Sequence, residues 1–248
     1  MTFQDHFSET AAAYAQFRPR YPDRLMDWLA ERAAGRGLAW DAATGNGQAA
    51  VALADRFARV VATDASARQI ANAVPHPRIE YRVARAEEGG LEPASCDLVT
   101  VAQALHWLEP AAFFAAAERA LKPGGLIAVW CYVEPRLVDG DVDRALQEFA
   151  AVVRRYWPHE RQITEDGYRS IPFPFAEVDA LPAIELEMTP TLAEFVGYLR
   201  TWSATRRFVV AHRDDPVLVV ERRLAGVWPA GERRTLRWPL HIRAGVRR

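Results

Sequence analysis

Apolar residues recur along the chain in short runs separated by stretches of helical periodicity, the alternation expected of strands and helices in turn. The runs predict strands at 38–43, 59–64, 79–84, 97–102 and 125–132, with helices at 47–57, 66–73 and 110–121. Strand–helix–strand order of this kind predicts a parallel sheet with helices on both faces. Lys122-Pro123-Gly124-Gly125 reads as a helix stop and a turn into the fifth strand. Ahead of these elements, Phe7, Ala11, Tyr14 and Phe17 fall at helical spacing in a lead-in helix over 1–21, which Arg18-Pro19-Arg20-Tyr21-Pro22 stops. Pro22 suits the first turn of a second helix, Asp23 to Ala34, closed by Gly35.

Beyond Tyr132 the regularity lapses. Leu137, Val142, Leu146, Phe149, Val152 and Val153 predict a helix over 139–156, and prolines 158, 172, 174 and 182 then punctuate a loop-rich stretch. A strand is expected at 183–189. Thr191-Leu192-Ala193-Glu194 is a capping-box signature for a helix through Trp202. Asp214-Asp215-Pro216 opens a further helix, and 235–246 reads as the last strand.

Composition narrows the class. Half of the 248 residues are apolar and a quarter are charged, enough for a sizeable core. A net charge of −1 supplies no field for nucleic acid or an anionic membrane, so neither is expected as a partner. The arginines near the C-terminus (Arg233, Arg234, Arg237, Arg243, Arg247, Arg248) read as a solvated strand face and tail. No run approaches the ~18 apolar residues of a membrane span. Asp5, His6 and Glu9 stand where a signal peptide needs a basic start. Cys96 and Cys131, each inside a predicted strand, read as buried thiols in a reducing compartment. A cytoplasmic protein is expected.

The candidate chemistry lies in residues 38–48. An apolar run ends in Asp41, and Gly45 and Gly47 mark a tight turn opening an alanine-rich helix. Strand, glycine turn and helix N-terminus together form a backbone cradle for a nucleoside cofactor. The second run, Arg59 to Asp64, ends in another acid, where a ribose diol would meet its carboxylate. Gly45 to Ala50 also fits a dinucleotide fingerprint, which would suggest a nicotinamide or flavin enzyme. Asp41 weighs against a pyrophosphate, because like charges at short range repel. It favours a cofactor with a cationic tail and a sulfonium, as in S-adenosylmethionine. The six histidines show no chelating spacing, and no metal is expected.

With these landmarks the chain resembles the class I S-adenosylmethionine-dependent methyltransferases. More narrowly, it is similar to the small-molecule group that includes trans-aconitate methyltransferase-like proteins, with a methyltransferase type 11 domain. The residues that carry the resemblance are Phe7, Tyr14, Arg18 to Pro22, Asp41-x-x-x-Gly45-x-Gly47, Thr63 to Ser66, Ala86-Glu87, Asp97 to Trp107, Leu121 to Gly125, Thr201 to Ala204 and Trp238 to Leu240. Thr44, Asn46 and Gln48 depart from the usual glycine turn. The resemblance implies an α/β, Rossmann-like, seven-stranded mostly parallel sheet with helices on both faces and a lid or cap segment. It implies a lead-in and lid over 1–36, a cofactor-binding core over 37–133, a cap over 134–210 and a returning helix and last strand over 211–248.

The same resemblance implies site residues. Ala43, Gly45 and Gly47 would receive the methionine end of the cofactor, Asp41 its amino group and Asp64 the ribose. Ala65, Ala86 and Glu87 would bracket the adenine. Gln103, Ala104 and His106 would face the transferred methyl, with His106 either a general base or a packed histidine that shapes the site. Tyr14 and Arg18 would close over the cofactor carboxylate. Arg20, Trp107, Trp130, Tyr132 and Trp202 would line the acceptor pocket. The expected reaction is metal-free methyl transfer to a small molecule, a carboxylate or enol oxygen favoured and nitrogen possible, leaving S-adenosylhomocysteine. A nicotinamide-dependent oxidoreductase and a non-catalytic cofactor-binding module are the rival readings. The assembly is expected to be a monomer or a homodimer.

Overall fold

The computed structural model describes residues 19–137, 140–179 and 181–248. The helix expected over 1–21 falls outside them except for residues 19–21, which are not helical, and Tyr14 and Arg18 fall outside them too. The chain forms α1 (Asp23–Arg32), β1 (Leu38–Ala42), α2 (Gln48–Ala54), β2 (Arg59–Asp64), α3 (Ala67–Ala71), β3 (Ile79–Val83), β4 (Cys96–Ala102), α4 (Pro110–Ala120) and β5 (Leu121–Cys131). It continues through β6 (Arg136–Leu137), α5 (Gly140–Val153), α6 (Arg161–Glu165), β7 (Ala176–Glu177), β8 (Glu185–Met188), α7 (Leu192–Arg200), α8 (Ser203–His212), α9 (Val217–Leu224), β9 (Leu236–Pro239) and β10 (His241–Val246).

Seven strands form one sheet in the order β3-β2-β1-β4-β5-β10-β7, and β6-β9-β8 form a second. In the large sheet β3, β2, β1, β4 and β5 run parallel, and β10 lies antiparallel to β5 and β7. The doubly covered parallel sheet expected from the sequence is present. Strand β4 is buried almost throughout, which is why it reads as an unbroken apolar run rather than an alternating one. Alternate residues feed opposite faces. Trp40, Val99, Val101, Ile127 and Val129 pack with Phe113 and Ala117 of α4 on one side. Ala39, Leu98, Ala128 and Trp130 pack with Leu25 and Leu29 of α1 and Leu53 of α2 on the other. A third cluster, apart from the large sheet, gathers Leu146 and Phe149 of α5, Phe195 and Leu199 of α7, Val220 of α9 and Trp238 of β9.

Three local readings need correction. Residues 235–246 form two strands in different sheets. Trp238 is buried in the third cluster, the Leu240 amide still reaches the Ile184 carbonyl at 2.9 Å beside β8, and from His241 the chain pairs with β5 instead. The fifth strand starts at Leu121, directly after α4. Leu121 pairs with Cys96, and a register shift absorbs the Pro-Gly-Gly turn. The C-terminal arginines are not simply solvated. The Arg243 guanidinium donates to the carbonyls of Tyr168 and Ile171, each at 2.7 Å, and to Glu177 at 2.7 Å, fixing the proline-rich segment on β10. Arg247 donates to the Leu121 carbonyl, and Arg234 stacks on Trp228.

Other readings hold locally. The Thr191 hydroxyl accepts from the Glu194 amide at 3.3 Å, and the Glu194 carboxylate accepts from the Thr191 amide at 2.8 Å, closing the capping box. Cys96 and Cys131 are buried free thiols. Among the described residues no helix is long and apolar enough to cross a membrane.

The amino end of the sheet is pinned by Asp97. Its carboxylate accepts from the Gly37 and Leu38 amides at 2.9 Å each and from Lys122 Nζ at 2.6 Å. Burial pushes its pKa up, but Lys122 and the two amides outweigh that and hold it below the usual value.

Gly47 sits at φ +88°, and a Cβ there would run into the Tyr81 ring. Gly90, at φ +66°, has open space where its Cβ would stand. Gly47→Ala should therefore lower unfolding free energy by about 2–4 kcal/mol and Gly90→Ala by only about 1 kcal/mol, read as a difference in urea midpoints.

Candidate active site

Strands β1, β2 and β4 are neighbours in the sheet, and their carboxyl ends carry the residues singled out in the sequence. The Asp41 carboxylate is fully buried and accepts from the hydroxyls of Thr44 and Thr100, the latter at 2.8 Å. Burial raises its pKa to about 6; the two hydroxyls pull against that, and the charge of Asp64 adds to it. Asp64, at the end of β2, accepts from the Gly45 amide at 2.8 Å and the Ser66 amide at 2.8 Å. The Thr44 amide donates to the Thr63 carbonyl at 2.9 Å. The turn after β1 is therefore fastened to the end of β2.

The backbone here is unusual. Ala43 and Gln103, at the ends of neighbouring strands, adopt φ of 52° and 56° although neither is glycine. Left-handed backbone at such residues is costly and gathers at functional sites. Gly45, at φ 59°, has nothing within 4 Å of where a Cβ would stand, so the turn presents bare backbone to open space. An open backbone face beside a carboxylate that already orients N–H groups is a fitting cradle for a nucleoside with a cationic tail.

Gln103 serves the scaffold with its side chain. Its amide donates to the Tyr132 carbonyl at 2.9 Å and accepts from the Tyr132 amide at 2.7 Å, extending the β4–β5 ladder by one rung. Ala86 is buried against the β4–β5 layer, Ala104 packs on its edge, and Ala65 is half-buried beside Asp64. The Glu87 carboxylate accepts from the Glu109 amide at 3.0 Å, at the start of α4, and lies 3.4 Å from Arg85.

A cleft opens beyond β4 and β5. Gln103, His106, Trp107 and Tyr132 form one side, with Trp157, Arg161, Thr164, Tyr198, Trp202 and Ser203 around it. His106 Nδ1 lies 3.0 Å from the Tyr168 hydroxyl, and its ring centre is 4.7 Å from that of Trp107. Burial, and after it the charge of Arg161, pulls the His106 pKa down to about 3. The ring is therefore neutral at physiological pH and a poor proton acceptor. Arg161 stacks over Trp157 at 4.1 Å and pairs with Glu134 and, at 3.5 Å, Glu165.

Two expected pocket residues stand elsewhere. Trp130 is fully buried beneath α1, edge-on to Tyr21 at 5.4 Å, because its strand position faces the α1 side of the sheet. Arg20 is exposed and outside the cleft lining. Trp157, Arg161, Tyr168 and Tyr198 were missed. Tyr198 had a signal: it lies on α7, which Thr191 caps, four residues before Trp202, although that helix ends at Arg200 and Trp202 opens α8. The others sit in short elements without periodicity.

The comparisons with known proteins agree with this geometry. Residues 40–129 match the model of the methyltransferase domain family. A protein of Dictyostelium discoideum named as a methyltransferase is 32% identical over 217 residues, covering 86% of this chain and 82% of that one. A solved structure from Anaeromyxobacter dehalogenans, described as a type II methyltransferase, is 41% identical and covers 93% of this chain and 98% of that one at a TM-score of 0.87. The phosphoethanolamine N-methyltransferase 2 of Haemonchus contortus, solved with phosphomonomethylethanolamine and S-adenosylhomocysteine, shares the fold at 18% identity and a TM-score of 0.52, covering all of this chain and 60% of that one. With its seven-stranded, mostly parallel sheet and these relatives over most of its length, the chain belongs to the class I S-adenosylmethionine-dependent methyltransferases.

Proposed function

We propose that the enzyme moves the methyl group of S-adenosylmethionine to a small-molecule acceptor seated in the aromatic cleft, by metal-free in-line displacement. A carboxylate or enol oxygen is favoured, and nitrogen acceptors remain within the same chemistry. The observation that carries this reading is adjacency: the cleft opens at Gln103 and Tyr132, where β4 and β5 end, one strand away from the glycine turn after β1. The cofactor supplies a methyl on a positively charged sulfur, already a strong donor. The chain's task is alignment and exclusion of water, worth on the order of 7–11 kcal/mol.

In this reading the backbone of Ala43, Gly45 and Gly47 receives the methionine end, and Asp41 favours its ammonium through the Thr44 turn. Asp64 accepts the ribose hydroxyls, a role its two oxygens can combine with the amides they already hold. Ala65 and Ala86 border the adenine, while Gln103 and Ala104 set the floor of the cleft. Glu87 belongs to the support, since it holds the start of α4. Trp107, Tyr132 and Trp202 wall the acceptor, and aromatic faces near a sulfonium stabilise its charge. Residues 1–36 and 134–210 act as lid and cap, with Tyr14 and Arg18 closing on the cofactor carboxylate. The work is done in the cytoplasm by a monomer or homodimer that needs no nucleic acid.

The test is direct. Protein incubated with methyl-labelled S-adenosylmethionine and a small-molecule extract should pass label into a discrete compound. Binding of S-adenosylhomocysteine with no transfer would instead identify a non-catalytic module. Asp64→Ala should weaken S-adenosylhomocysteine binding about 100-fold or more by calorimetry, the loss of two charge-assisted hydrogen bonds. An unchanged affinity would remove Asp64 from the ribose.

Asp41 generates a pH signature. Its pKa of about 6 in the fold exceeds the ordinary 3.8, so its contribution to stability is full below 3.8 and is lost as pH rises through about 6. Binding of a cation runs the other way, because the ionised carboxylate attracts it. Affinity for S-adenosylmethionine should rise by up to about tenfold per pH unit from pH ~5 to ~6, then level off, with uptake of the ligand releasing a proton. Asp41→Asn should flatten that profile in calorimetry across buffers of different ionisation enthalpy.

A further inference from the structure

We propose that Tyr168 holds His106 as its Nε2–H tautomer, so that the imidazole meets the methyl acceptor as a neutral hydrogen-bond donor and does not remove its proton. The inference rests on the reading of the cleft as the acceptor site.

Tyr168 is fully buried, and its oxygen lies 3.0 Å from His106 Nδ1. The backbone N–H groups of Leu105 and His106 lie on the same side and bear on that oxygen as well. The hydroxyl proton then has two destinations, the imidazole nitrogen and the Cys131 thiol that also neighbours it. Nitrogen is a far better acceptor than a thiol sulfur. Cys131 in turn directs its own weak donor to the Thr164 carbonyl at 3.5 Å. Tyr168 therefore donates to Nδ1, which fixes Nδ1 as the bare nitrogen and leaves the ring proton on Nε2.

His106 lines the cleft, and among the described residues no hydrogen bond is made by Nε2, so that proton is left for a ligand there. The charges and titratable groups that bear on the ring are Arg161, Tyr168 and, behind Tyr168, Cys131. Burial pushes the Tyr168 pKa well above its ordinary value, so the donor keeps its proton. Burial and then Arg161 keep His106 uncharged, so the tautomer persists across the physiological range.

The chemistry follows. A ring with Nε2 protonated and Nδ1 engaged has no lone pair to offer an acceptor's proton. It offers instead an N–H to an oxygen that is already anionic, with Arg161 adding positive potential nearby. The oxygen's lone pair forms the new bond to the methyl carbon as the carbon–sulfur bond breaks and its electron pair stays on sulfur. An anionic oxygen becomes neutral in that step, and no proton has to leave. Tyr168 is then a positioning residue, acting through His106.

The test uses the full chain saturated with S-adenosylhomocysteine and ¹⁵N-labelled at histidine. Two-bond ¹H–¹⁵N correlation should show His106 protonated at Nε2 alone, unchanged between pH ~5 and ~8. In Tyr168→Phe the same ring should become a mixture of tautomers. Formate, the smallest carboxylate probe, should shift the Nε2 proton. His106→Gln, which keeps an N–H donor, should hold formate within about threefold of the wild-type affinity, while His106→Leu should weaken it about tenfold or more. A His106 that titrates near neutrality, carries its proton on Nδ1, or ignores formate would overturn the proposal. Failure of the chain to bind S-adenosylhomocysteine at all would strike instead at the reading of the site.

Discussion

The Asp64 carboxylate ties the glycine turn after β1 to the end of β2 through the amides of Gly45 and Ser66. Without that acceptor two N–H groups at the mouth of the sheet would point at nothing, and the turn would lose its fixed relation to the strand beside it. Charge-assisted bonds of this kind are stronger than neutral ones, so one side chain can hold two loops. The open face at Gly45 is a consequence, since the backbone there is held from behind. A cradle that is already built loses little entropy when its ligand arrives.

Two buried acids show how position in the same sheet decides chemistry. Asp97 lies at the amino end, where Lys122 and two amides hold its carboxylate ionised. Asp41 lies at the carboxyl end, with hydroxyls for partners and a second carboxylate nearby, and burial raises its pKa to about 6. The first is a clamp and its charge is compensated. The second is short of positive charge, and a cationic ligand relieves that shortage. The Asp41 carboxylate also opposes a pyrophosphate, which weighs against reading Gly45 to Ala50 as a dinucleotide fingerprint.

The large sheet was legible because its strands are buried on both faces and its helices carry regular apolar stripes. Strands β1 to β4 lie within a residue or so of where the apolar runs place them. The two-strand ending was not legible, because Leu236 to Val246 is one apolar-rich run, and what divides it is packing: Trp238 is buried in the third cluster while His241 to Val246 pair with β5. Arg243 looked like a solvated cation; its partners are carbonyls of Tyr168 and Ile171, and no pattern in the sequence announces a pairing across some seventy residues. The same gap hid Tyr168, Trp157 and Arg161. Their segment has no period of its own and is shaped by what it packs against. Trp130 was misplaced for a simpler reason: it lies within β5 on the α1 side of the sheet, and Tyr132 reaches the cleft because the strand has already ended at Cys131.

Crystallographic analysis of the chain with S-adenosylhomocysteine bears most directly on the central claim. The nucleoside should lie over the bare backbone at Gly45, with its ribose hydroxyls in hydrogen-bond contact with Asp64 and its sulfur turned toward the cleft at Gln103 and His106. A nucleoside bound away from Asp64, or one whose sulfur points out of the cleft, would contradict it.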